Sequence, residues 1–205
     1  MTRGALIGLV LALPATGAAA QANGRANLSA EGVVRAAAMV DSVFLDRSRL
    51  DGYVAPGDWA SYMLARLGAG PIPDSLGIVV AIDTAHIEVR GRLQDLPPES
   101  RALLGPLANV VDSTTEIVAD ILYQRTGKEV ARFWLRGLIV NGFPFPEFLL
   151  APMMARVGRQ YPELTRSGRD LYVQIPADAA ITLVDSAVLL TASPRAADAG
   201  TPPRR

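Results

Sequence analysis

The sequence predicts an α+β fold, a mainly antiparallel β-sheet packed against amphipathic helices in one domain. Three observations carry this. Apolar side chains recur at spacings of three and four in three segments, near residues 33–44, 59–67 and 148–157, and elsewhere alternate with the period of a strand. Most of the alternating segments come in pairs joined by tight polar turns, which makes neighbouring strands antiparallel. No repeat of twenty to fifty residues runs along the chain, so a solenoid is not expected.

Residues 1–22 read as an export signal ahead of the domain. Arg3 gives a positive start, Ala5 to Leu13 a short apolar run, and Pro14 breaks it; Ala18-Ala19-Ala20 or Ala20-Gln21-Ala22 offers the small-residue cleavage pattern. The apolar run is too short for a hydrocarbon core about 30 Å thick, and no second candidate span follows. The expected location is therefore the periplasm or the exterior of a bacterium. The domain is expected over 23–191, opening with a linker over 23–28.

Ser29 caps a first helix whose apolar stripe is Val33, Ala37, Val40 and Phe44. A second follows Pro56-Gly57-Asp58, with Trp59, Tyr62, Met63, Arg66 and Leu67 at helical spacing and Gly68 ending it. After a Gly- and Pro-containing loop over 68–77 the period changes. Ile78, Val80 and Ile82, then Ile87 and Val89, face one side of a hairpin, and His86, Glu88, Arg90 and Arg92 face the other. Gly91 falls on the apolar side and marks a bulge or a close backbone approach.

A short helix is expected over 98–110, interrupted at Gly105-Pro106. Residues 115–124 and 129–141 then form the strongest hairpin, turning at Arg125-Thr126-Gly127-Lys128. Depending on register, Ile117, Ala119, Ile121, Tyr123, Phe133, Leu135 and Ile139 share one face; Arg132, Trp134 and Arg136 lie on the other. Pro146 opens a third helix carrying Phe148, Leu149, Met153, Arg156, Val157 and Gln160, with Pro152 inside it. A strand over 171–175 and a hairpin over 181–191 about Asp185-Ser186 complete the domain. The tail from Ala192, small, Pro-rich and basic at its end, is expected to be disordered.

Composition closes off several chemistries. Lys+Arg and Asp+Glu number 20 each, which gives no basic face for nucleic acid. One histidine and no cysteine exclude disulfides, thiolate chemistry and any site needing two imidazoles. His86 reads either as a general base or as an ordinary polar residue on the wet face of a strand. The second reading is favoured, because no serine has a nucleophile-elbow context and no second ligand lies at useful spacing. Glu88 and Glu116 are the carboxylates best placed for acid–base work, yet each has an arginine nearby that would depress its pKa. No dinucleotide fingerprint, P-loop or calcium loop occurs, and no cofactor or metal is expected.

What stands out is apolar surplus on amphipathic segments. Trp59, Tyr62, Met63, Phe145, Phe148, Met153 and Val157 are either plain core or the lining of a slot for an apolar ligand, where Met adapts to varied shapes. Arg132, Trp134 and Arg136 suit the rim of such a slot, meeting an anionic headgroup, or else pair across strands with Glu116 and Asp120.

The helix Asp58-Trp59-Ala60-Ser61-Tyr62-Met63-Leu64, the strand ending Ile87-Glu88-Val89-Arg90-Gly91, the segment Val140-Asn141-Gly142-Phe143-Pro144-Phe145-Pro146 and the strand Leu171-Tyr172-Val173-Gln174-Ile175-Pro176 together resemble exported bacterial proteins of the TULIP-like lipid-binding class. The resemblance implies a curved sheet wrapped about a helix, and lipid binding or transfer at the envelope without catalysis. The expectation is a binding module for a lipid or other amphiphile. Its rivals are an envelope structural or assembly factor that binds protein through a sheet edge or aromatic patch, and a carboxylate-dependent hydrolase.

Overall fold

The computed structural model describes residues 25–68, 72, 76–95, 101, 112–161 and 163–194. The segment 1–22, most of the loop over 69–75, nearly all of the helix expected over 98–110 and the tail from 195 lie outside the described residues.

Strand β1 (Arg25–Asn27) leads into α1 (Ala30–Val40), which widens into a π turn at Asp41–Leu45. Then come β2 (Asp51–Val54), α2 (Pro56–Arg66), β3 (Val79–Ile82), β4 (His86–Arg92), β5 (Glu116–Arg125) and β6 (Val130–Val140). The two-residue β7 (Phe143–Pro144), α3 (Glu147–Gln160), β8 (Asp170–Gln174), β9 (Ala179–Val184) and β10 (Ala187–Ala192) follow. The strands form two open, antiparallel sheets, the larger curved. Its order is β1-β3-β4-β5-β6-β7, with β8 also paired to β6; the smaller is β2-β10-β9. The expected α+β class is the one observed.

Local chemistry accounts for the element ends. Ser29 Oγ accepts from the Gly32 N–H at 2.9 Å, the N-cap read from the sequence. Pro56 sits in the first turn of α2, where its missing N–H costs nothing, and Gly68 takes a left-handed φ of 75° just past its end. The buried stripe of α1 differs from expectation. Gly32, Ala36 and Val43 are buried while Val33 and Ala37 are only half-buried, because the helix crosses α2 through its smallest residues. A Cβ on Gly32 would lie 3.2 Å from Asp58 Cα. Ser61 ties the same crossing, donating to Gly57 O at 2.6 Å and accepting from Ser29 N–H at 3.0 Å.

Three strands escaped the sequence reading. β1 lies where a linker was expected, β2 precedes α2, and β7 is a two-residue continuation after the Asn141-Gly142 turn. The final strand also runs through Ala192, and the Ser193 N–H donates to Asp178 O at 2.7 Å, so the ordered chain passes the expected boundary at 191.

The long hairpin contains one correction. Asp120 faces Gly137 and Ile121 faces Leu135, so Arg136 is an extra residue in β6, a bulge. Side chains after it change face. Ile139 therefore sits opposite Val118, not on the face of Ile121, Tyr123 and Phe133 where strict alternation placed it.

The core lies between the inner face of the main sheet (Val80, Ile82, Ile87, Phe133), the two N-terminal helices (Ala36, Trp59) and the small sheet (Ile181, Val188, Leu190). Gly91 meets Ile78 closely, the approach its position suggested: a Cβ there would lie 3.1 Å from Ile78 Cγ1. Tyr123 bridges the two sheets, its phenol donating to the Ile181 carbonyl. Burial pushes that phenol above its ordinary pKa. Tyr123→Phe is expected to cost about 1–2 kcal/mol in urea unfolding, because the bond is lost and a partly buried carbonyl is left unpaired. The raised pKa holds the phenol's contribution in full below the unfolded value near 10 and loses it as pH rises above that. The alkaline fall in stability should therefore be shallower in the variant.

Candidate functional site

A groove runs along the outer edge of β8. β8 forms because Leu171 and Val173 alternate with Tyr172 and Gln174, and Ile175 just beyond is buried in the core. On the β6 side, Leu135 N–H donates to Arg169 O and Ile175 N–H donates to Glu129 O, both at 2.9 Å. Antiparallel alternation then turns the backbone groups of residues 170, 172 and 174 away from β6. Thr165 N–H caps Asp170 O at 3.0 Å, and Leu164 bridges Leu171, which covers the start of this edge. At Gln174 the edge has no strand partner among the described residues.

Across from it stand the C-terminal parts of the two helices. Val40 and the π turn contribute Phe44 and Leu45; α2 contributes Trp59, Tyr62 and Met63, and then Leu67. Ile181 of β9 completes an apolar lining around about 390 Å³ of open space. The lining residues with exposed polar ends are Asp41, Arg66, Glu163, Tyr172 and Gln174, so polarity gathers at the mouth. The π turn matters to this shape: its wider ring, closed by Asp46 N–H on Asp41 O at 2.8 Å, turns Phe44 and Leu45 toward the groove. Past it, Arg47 takes a left-handed φ of 57° and pairs with Asp178 at 2.5 Å, latching the turn to the loop after β8.

Trp59 is the innermost aromatic, 2% exposed, with Tyr62 at 5.9 Å and Phe133 at 6.3 Å between ring centroids. Its indole Nε1–H is buried and has no acceptor among the described residues. An unpaired buried donor is costly, of the order of 1–3 kcal/mol.

The residues singled out from the sequence divide. Trp59, Tyr62 and Met63 line the groove. Phe145, Phe148, Met153 and Val157 do not belong to its lining; they lie on the β7–α3 segment, with Met153 buried, Phe145 and Val157 half-buried, and Phe148 75% exposed. Helix α3 packs near β6 rather than over α2, and that separates the two sets. Arg132, Trp134 and Arg136 do not rim the groove either. Arg132 pairs with Asp170 and lies 5.5 Å from the Trp134 ring; Arg136, at the bulge, reaches Asp120 at 2.7 Å. The mouth is instead polar through Arg66 and Glu163.

The groove residues missed from sequence are the π turn and β8. The alternation of Leu171, Val173 and Ile175 was legible, but its position as an outer strand facing helices depends on long-range pairing.

The outer face of the main sheet holds the other titratable groups. His86 Nδ1 is 3.0 Å from Asp120 Oδ1, whose other oxygen meets Arg136. Arg90 joins Glu88 at 3.0 Å and Glu116 at 3.2 Å, and this carboxylate pair raises the guanidinium pKa. These are paired charges on a wet face, the arrangement the sequence favoured over acid–base chemistry. Among the described residues no group of three His, Cys, Asp or Glu is placed to hold a metal ion, and no helix is long and apolar enough to cross a membrane.

Comparison with protein-family models, with curated proteins and with solved structures found no match to this chain.

Proposed function

We propose that the chain is an exported, non-catalytic binding module that takes the apolar part of a lipid or similar amphiphile into the groove between β8 and the α1 and α2 helix ends. The observation that carries this is an apolar lining around one concavity with the exposed polar groups Asp41, Arg66, Glu163 and Gln174 beside it. An amphiphile, with an apolar chain and a polar end, matches both features. The export signal read at 1–22 and the TULIP-like pattern support an envelope setting.

The space limits the guest. At about 30 Å³ per water-sized group, 390 Å³ takes roughly a dozen heavy atoms, a chain of about ten carbons. Burying about ten methylenes is worth roughly 8 kcal/mol, against an association cost of about 4 kcal/mol or more. The net of about 4 kcal/mol or less puts the expected affinity for such a short chain in the millimolar range or weaker.

Displacement of a fluorescent fatty-acid probe by decanoate tests the reading. Met63→Trp adds bulk to a half-buried position of the lining and should weaken probe binding at least tenfold, while shifting stability by less than about 1.5 kcal/mol. A wild-type chain that ignores the probe, or a variant that binds it equally well, would defeat the proposal.

A further inference from the structure

We infer that the β7–α3 tip is a docking surface for an anionic lipid bilayer. This goes beyond the groove and stands whether or not the groove takes an acyl chain. Phe143 is 76% exposed and Phe148 is 75% exposed, the two highest values among the large hydrophobics, and only four residues separate them. Helical spacing aligns Phe148 with Pro152, Arg156 and Arg159, at steps of four, eight and eleven. All four are exposed, whereas Leu150 and Met153 on the opposite side of α3 are buried. The helix thus has a packed apolar face and an outer face that combines an aromatic with two arginines.

Charge and backbone chemistry select the occupant. Arg156 and Arg159 make no ion pair among the described residues, and the one acid at the start of α3, Glu147, is neutralised by Arg169 at 2.8 Å. The tip therefore carries uncompensated positive charge beside exposed aromatic rings, the pattern of a helix that lies in a lipid interface with its arginines reaching headgroup phosphates. The backbone on either side of Phe145 is suited to leaving water. Pro144 and Pro146 have no N–H, and Phe145 N–H already donates to Leu138 O at 2.8 Å. A tip built this way sinks two phenyl rings without stranding these backbone donors.

The absence of cysteine allows a local test on the full chain. Ala151→Cys on the exposed face of α3 and, separately, Thr182→Cys on the exposed side of β9 would each carry an environment-sensitive NBD label. With vesicles of equal phosphatidylcholine and phosphatidylglycerol, emission at 151 should rise at least threefold, and emission at 182 should stay flat. Adding Phe143→Ser and Phe148→Ser should abolish the rise. Arg156→Glu with Arg159→Glu should raise the lipid concentration needed at least tenfold. Because the readout is local, membrane attachment through the apolar stretch at Ala5 to Leu13 would not imitate it. No rise at 151, equal rises at 151 and 182, or a rise that depends on protein concentration without lipid would overturn the inference, the last in favour of a second copy of the chain. Probe displacement by decanoate is scored separately, so failure of the tip and failure of the groove are distinguishable.

Discussion

Trp59→Ala should destabilise the protein by about 3–5 kcal/mol, the range for removing a large aromatic from a close-packed site. Trp59 is 2% exposed and touches both Tyr62 and Phe133, so its loss opens a hole between α2 and the inner face of β6. Against a total of about 5–15 kcal/mol for a domain, that loss leaves a marginal fold. Trp59→Phe separates packing from hydrogen bonding. It gives up part of the ring but also removes the buried Nε1–H that has no acceptor, so the two effects oppose each other and the net change should be near 1 kcal/mol. Urea unfolding of both variants checks this. An alanine variant within about 1 kcal/mol of the parent would show that the indole is not a core element.

Gly168→Ala should be comparably severe at a different place. Gly168 has φ of 71°, and a Cβ built on it would fall 1.7 Å from the Met154 carbonyl oxygen of α3. The facing Gly158 is equally confined, its own Cβ position lying 2.4 Å from Thr165 O. Backbone meets backbone here, so no side-chain rotation relieves the clash. The left-handed conformation adds about 1–2 kcal/mol for a residue with a Cβ. The expected result is a loss of about 3 kcal/mol or more, felt first as separation of α3 from the 165–168 turn. Hydrogen exchange should accelerate along α3 while protection in β4 and β5 persists. Unchanged exchange in α3 would contradict the close approach.

The contrast between these two positions shows what the sequence could reveal. Trp59 was legible: its spacing with Tyr62, Met63 and Leu67 marks the inner stripe of a helix, and these four are buried or half-buried, while Arg66, at the stripe's margin, is exposed. The Gly158–Gly168 contact was not, because it joins a helix to a turn through contacts that no periodicity encodes. The same limit explains the strands. Long alternations such as those of β5 and β6 announce themselves, whereas β1 has three residues and β2 four, too few to stand out in the sequence, and they pair with the edges that β3 and β10 offer. The bulge at Arg136 moved Ile139 to the other face for an equally non-local reason, the pairing of β6 with β5.

The candidate site was legible by halves. The α2 triad of Trp59, Tyr62 and Met63 lines the groove, whereas Phe145, Phe148, Met153 and Val157, which the sequence groups with it in one slot, do not. Composition says which residues are apolar, not which helices are neighbours. Arg132 and Arg136, which the sequence reads either as a rim or as cross-strand ion pairs, are ion pairs: Asp170 and Asp120 hold them on the sheet. The β8 edge that completes the groove depends on β6 accepting both β7 and β8 along different parts of its length.

The most direct test uses the two tryptophans as reporters. In an amide-correlation NMR spectrum, each indole N–H gives its own signal, one from Trp59 inside the groove and one from Trp134 on the outer face. Titration with decanoate should shift the Trp59 indole signal and the amides of Leu45, Met63 and Gln174 in a saturable way, and leave the Trp134 indole in place. A Trp59 signal that stays fixed while decanoate reaches millimolar concentration, or shifts confined to α3, would contradict the assignment of the groove as the binding site.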